Sequence, residues 1–138
     1  MIRKRLVVML VVALAGAGLL VMTASGAQAT KPPISADHAR HMKADIRAAI
    51  QAEQTALDNP DNFYPSVRTS VTWLKKAMRL GGRVYSGGAR RQVYRAMLFD
   101  KDALGTSSFA KNNKERFVQQ ALGYKRQAVD DLAPFLTG

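Results

Sequence analysis

PSVRTSVTWLKKAMRL, residues 65–80, carries Val67, Val71, Leu74 and Met78 at spacings i, i+4, i+7 and i+11. That is the repeat of one face of an α-helix, which comes round every 3.6 residues. Pro65 suits a first helical turn, where a missing N–H forfeits no internal bond. Gly81-Gly82 stops the pattern. The stretch predicts a helix from about Pro65 to Leu80, with an apolar stripe that needs a partner surface.

The neighbouring sequence supplies three more helices. Towards the N-terminus, Ser35 reads as an N-cap and Asp37 lies in the first turn, where the helix dipole favours an acid. From there to about Asp58, the residues Met42, Ile46, Ala49, Ile50 and Leu57 form one apolar face, and Asn59-Pro60-Asp61-Asn62 makes a turn. Towards the C-terminus, Arg83-Val84-Tyr85-Ser86 leads to Gly87-Gly88, and a third helix starts near Ala89 with Val93, Ala96 and Met97 as its stripe. Asp100 falls on that stripe, so this helix is expected to break or end there. A fourth helix is expected from about Asn113 to Ala133, with Phe117, Val118, Ala121, Leu122, Ala128, Val129 and Leu132 on its apolar face. Asn112 and Glu115 resemble a capping box, and Pro134 ends the run. Strand-type alternation is lacking beyond a few residues. The expected fold is all-α: a small antiparallel up-and-down bundle of about four helices over residues 35–138, after an extended segment at 30–34.

Residues 1–29 read as a cleavable secretory signal peptide. Arg3, Lys4 and Arg5 precede the apolar run Leu6–Met22, and Ala27-Gln28-Ala29 gives the small-x-small pattern of a cleavage site. An uncleaved anchor is the alternative. The run is short for a bilayer span, and Gly16 and Gly18 weaken it further. No cysteine follows it, which excludes a lipoprotein, and no other segment has the length and apolarity to span a membrane. The expected location is secreted, periplasmic or attached to the cell envelope.

Removing that segment leaves 18 Lys and Arg against ten Asp and Glu, a net charge of +8. The chain has no cysteine, so disulfides, zinc–thiolate sites, thiol catalysis and covalent haem attachment are excluded. The excess charge is concentrated. Between Asp61 and Asp100 there is no acid, and that interval holds Arg68, Lys75, Lys76, Arg79, Arg83, Arg90, Arg91 and Arg95. Arg68, Lys75 and Arg79 fall within about 40° on a helical wheel. Arg90 and Arg91 sit at a helix start, unfavourable to the dipole unless an anion lies there. Two glycine pairs would let backbone N–H groups approach a ligand, and Trp73, Tyr85 and Tyr94 are candidates for stacking on it. The alternative is a solvated face that only keeps the protein soluble. The expected partners are anionic: envelope polymers or lipid headgroups, with nucleic acid less favoured because of export.

Weaker constellations accompany this one. His38, His41 and Asp45 share one side of the first helix at i, i+3 and i+7, a spacing open to a metal or haem-type ligand. Arg40, Lys43 and Arg47 close by oppose a cation. Asp100-Lys101-Asp102-Ala103-Leu104-Gly105 begins like a calcium loop but fails at Leu104 and at Lys111, leaving an aspartate-capped helix end as its explanation. Lys125 points into the apolar stripe of the fourth helix, as Asp100 does in the third. A snorkelling lysine is the preferred reading, and a partly buried Asp100–Lys125 pair is the alternative. No hydrolase, phosphate-loop or dinucleotide signature is present. The sequence thus points to a non-enzymatic binding protein without a cofactor. A metal or haem-type binder using His38 and His41, and an assembly module built on Trp73 and the glycine loop, are the alternatives.

Overall fold

Each apolar stripe predicted from the sequence lies on a helix. The structure is a computed structural model that describes residues 31–137, so the signal-peptide reading of residues 1–29 falls outside the described residues. The helices are α1 (Ala36–Asp58), α2 (Phe63–Leu80), α3 (Ala89–Leu104) and α4 (Lys111–Leu132), with 3-10 turns at Pro60–Asn62 and Ala133–Phe135. They pack in a ring, α1 on α2, α2 on α3, α3 on α4 and α4 on α1, with no strand among the described residues. Short connections make consecutive helices antiparallel. Buried alanines line the seams, among them Ala39, Ala49, Ala77, Ala96, Ala121 and Ala128, all at 0% exposure. Small side chains there let the helix backbones come close.

Local chemistry explains the helix ends. Ser35 caps α1, its Oγ accepting from the His38 N–H at 3.1 Å. α2 starts two residues before Pro65 because the 3-10 turn at Pro60–Asn62 runs straight into it. Pro65 then occupies a first-turn position, where no intrahelical bond is lost. α4 starts at Lys111, not Asn113. Its N-cap is Ala110, whose carbonyl accepts from Asn113 and Lys114 at 3.1 Å each, so Asn112 and Glu115 form no capping box. Glu115 instead faces Lys111 across one turn at 3.9 Å.

Both ends of the bundle are tied. At one end, Tyr85 N–H donates to Pro32 O at 2.7 Å and Ile34 N–H donates to Tyr85 O at 2.9 Å, docking the segment before α1 on the α2–α3 loop. In the same loop Gly87 has φ +65°, and a Cβ there would lie 2.9 Å from the Asp131 carbonyl. At the other end, Tyr64 Oη donates to Thr106 O at 2.7 Å.

The core has a polar centre, and here two sequence expectations are corrected. α3 does not break at Asp100 but continues to Leu104, and Asp100 caps nothing. Lys125 does not snorkel to the surface. Its Nζ is buried, 3.1 Å from Asp100 Oδ2, and donates to Ser70 Oγ at 2.7 Å and to Glu53 Oε1. Ser70 Oγ donates to Asp100 Oδ2 at 2.9 Å. The four residues come one from each helix, and all are at 0% exposure. They form a layer across the bundle. On one side of it lies the larger apolar cluster, with Met42, Ile46, Leu74, Val93 and Leu132. On the other lies a smaller one, with Ala56, Phe63, Val67, Ala103, Val118 and Leu122. Asp100 can stay inside the helix because its charge is met inside the core, and a lysine with three partners has no reason to reach for water.

One ammonium serves two carboxylates, and Glu53 Oε2 and Asp100 Oδ1 have no hydrogen-bond partner in the protein. Burial therefore dominates both titrations. It pushes Asp100 up from 3.8 to about 6 against the pull of Lys125, and Lys125 down from 10.5 to about 8 against the pull of Asp100.

Lys125→Met strands two carboxylates, so it should lower stability by about 3–5 kcal/mol in urea denaturation. Adding Glu53→Leu and Asp100→Leu to it should recover most of that loss, since apolar packing replaces desolvated charge. The sign of the pH effect follows from proton uptake. Native Asp100 holds its proton more tightly than the unfolded chain does, so its contribution is present below pH 3.8 and is lost as pH rises through about 6. Stability should fall across that interval, and in Asp100→Asn the fall should flatten.

Candidate functional site

Every base in the acid-free stretch is exposed: Arg68, Lys75, Lys76, Arg79, Arg83, Arg90, Arg91 and Arg95. None lies within ion-pair distance of a carboxylate among the described residues. The helix topology then sorts them. Taking the Glu53–Ser70–Asp100–Lys125 layer as the divide, the end that holds the α2–α3 loop gathers the N-terminal halves of α1 and α3 and the C-terminal halves of α2 and α4. Between Pro32 and Thr137, eleven bases stand at that end: seven of the eight above, with Arg40, Lys43, Arg47 and Arg126. Four acids stand with them, Asp37, Asp45, Asp130 and Asp131. Arg68 falls on the other side, where five bases face four acids. The charge excess that reads as one segment of sequence is thus one end of the bundle, fed by all four helices.

Sequence reasoning used Arg40, Lys43 and Arg47 only as an argument against a metal. In the structure they line, with Ala44 and Leu136, an open pocket of about 360 Å³. Their i, i+3, i+7 spacing was the available signal, masked by the histidines His38 and His41 beside them.

The aromatic candidates do not converge on one ligand. Trp73 is half-buried against the larger core cluster, with Lys76 Nζ 4.3 Å from its ring centroid. Tyr85 packs edge-on against Phe135 at 5.9 Å. Tyr94 is exposed on α3. Arg95 instead reaches Tyr124 of α4, 5.8 Å from the ring centroid, and that ring is stacked on Phe99 at 5.6 Å.

Packing accounts for three of the four glycines in the two pairs: Gly81, Gly87 and Gly88. A Cβ on Gly81 would lie 3.2 Å from Met42 Cε. Gly87 is crowded by Asp131 O and the Phe135 ring. Gly88 caps α3 at φ +94°, and a Cβ there would meet Asp131 Oδ2 at 3.3 Å. The carboxylate of Asp131 therefore sits against the α3 N-cap. It places one of the chain's own negative charges near the α3 N-terminus, without a hydrogen bond to the cap and without an ion pair to Arg90 or Arg91.

His38 and His41 are exposed on the first turns of α1. His41 Nδ1 is 3.8 Å from Asp37 Oδ2. Asp45 turns towards α2, where burial raises its pKa against the opposing charges of Lys76, His41 and Arg79. Among the described residues no group of three His, Asp or Glu side chains is placed to hold one ion. No helix among them is long and apolar enough to cross a membrane. No protein-family model, curated protein or solved structure matches the chain.

Asp131→Asn removes the negative charge from the α3 N-terminus while keeping the side chain's size. It should lower stability by about 0.5–1 kcal/mol at low ionic strength, with the difference shrinking in high salt. Parallel thermal melts at two salt concentrations read it.

Proposed function

We propose that this chain is an exported binding protein that holds anionic partners through the basic end of its helical bundle. The reading is carried by one observation: seven exposed, acid-free bases of residues 75–95 lie at the same end as Arg40, Lys43, Arg47 and Arg126. A field of this kind attracts polyanions and raises their local concentration. Eight of the eleven bases at that end are arginines, whose planar guanidinium groups make paired hydrogen bonds to carboxylate, sulfate or phosphate. The export reading of residues 1–29 ranks envelope polymers and lipid headgroups above nucleic acid. Binding, not catalysis, is the proposed activity.

The protein should be retained on an anionic matrix at low salt and released as salt screens the attraction over about 10 Å. Lys75→Gln/Arg79→Gln/Arg90→Gln should elute at clearly lower salt with an unchanged melting temperature. Arg68→Gln/Lys111→Gln/Arg116→Gln removes the same charge from the opposite end and should elute close to the parent. Equal shifts for the two triples, or no retention of the parent, would refute the end-specific reading.

A further inference from the structure

Between α3 and α4 runs an open groove of about 420 Å³, lined by Gln92, Arg95, Gln120, Gly123, Tyr124 and Gln127. It straddles the level of the buried layer, with Gln92, Arg95 and Gln127 on the basic side and Gln120, Gly123 and Tyr124 on the other, and its lining is unlike the basic end: three amides, one cation and one aromatic ring. We infer that this groove binds a sugar unit bearing a carboxylate or sulfate, as found along an acidic polysaccharide. The inference deepens the proposed function and rests on it for the partner being anionic.

Hydrogen-bond chemistry selects the ligand class. An amide offers a donor and an acceptor side by side, and so does a sugar hydroxyl. A phosphate group only accepts, so it would use the amide N–H donors and leave the glutamine carbonyls unmatched, whereas a sugar's hydroxyls use both. Gln127 already spends an N–H on Asp131 Oδ1 at 2.9 Å, leaving its carbonyl to accept from a hydroxyl. Arg95 is the one cation of the groove, suited to paired bonds with one acidic group per unit. Tyr124 is held by its stack on Phe99 and has Arg95 5.8 Å from its ring centroid, so ring and guanidinium line the groove together, apolar ring edge beside charge, as a sugar unit with an acidic group requires.

Gly123 is the second, independent observation. Glycine weakens a helix interior relative to alanine, and Gly123 stands mid-way along α4, exposed. A Cβ there would meet nothing within 4 Å, so packing does not require glycine. Gly87 and Gly88 have positive φ and crowded surroundings, whereas Gly123 has neither. What a side chain at Gly123 would change is the groove itself.

Gly123→Ala separates stability from binding. It should raise the melting temperature by about 2–5 °C while weakening binding of tetragalacturonate, read by calorimetry. Gly123→Leu should abolish that binding with the fold intact by circular dichroism. Gln120→Ala should weaken it about fivefold and Arg95→Gln about tenfold. Cellotetraose, the uncharged control, should bind at least about tenfold more weakly than the acidic tetramer. Unchanged tetragalacturonate binding in Gly123→Leu overturns the groove but leaves the basic end standing, provided Lys75→Gln/Arg79→Gln/Arg90→Gln still loses matrix retention. Equal binding of cellotetraose overturns the acidic part of the ligand assignment. Direct binding to phosphatidylglycerol vesicles that Gly123→Leu loses would point to a headgroup and overturn the sugar. A parent protein that binds neither anionic matrix nor tetramer overturns both readings.

Discussion

The buried layer of Glu53, Ser70, Asp100 and Lys125 is the constraint on which the rest of the bundle depends. Apolar stripes alone tolerate sliding, since a helix shifted by one turn, about 5.4 Å, still meets apolar neighbours. Four polar residues, one per helix, do not tolerate it. A shift of any helix by a turn would set a charge against Leu74, Met97 or Leu122 and strand its partners. The layer thus fixes four helices in one register, as a single buried polar position does in a coiled coil. It is a weak source of net stability, because desolvating three charges offsets most of their attraction.

The same register decides where the surface charge goes. Gly81 against Met42, Gly87 against Phe135 and Tyr85 against Ile34 bring the α2–α3 loop, the start of α1 and the end of α4 to one place. Along the chain, the bases of α1 sit among acids and histidines and look balanced. In the folded chain they join the bases of residues 75–95, while Asp58, Asp61, Asp102 and Glu115 are carried to the far end. The bundle becomes electrically lopsided without any single helix being so. Asp131 also changes meaning: carried from the end of α4, its carboxylate lies close to the α3 N-cap, while Arg90 and Arg91 are exposed.

Backbone exceptions separate structural from surface demands in this chain. Gly87 and Gly88 answer to φ and to contact with α4, and the α2–α3 turn could not be made at that spacing with side chains present. Gly123 answers to neither. Read together with Gln92, Gln120 and Gln127, it marks a flank where the fold asks for nothing, and where the choice of residue is left to the solvent side of the molecule.

The four helices, their apolar stripes, most of their turns and the position of the charge excess along the chain are legible in the sequence. These depend on periodicity, capping and turn chemistry, which act within a few residues, and Ser35, Asn59–Asn62 and Gly81-Gly82 express them locally. The sequence also placed Asp100 and Lys125 on core faces, but took each as a defect: a helix break and a snorkelling side chain. Glu53 and Ser70 lie on their stripes too, four residues after Ala49 and three after Val67, and went unread for the same reason. A buried charge is a fault on one helix and a solution only when other helices bring its partners, up to 72 residues away in sequence. The tertiary structure alone could decide that, as it alone decided which bases share an end and which glycines face a neighbour. Electrostatics and close packing depend on distance in space, and distance along the chain does not report it.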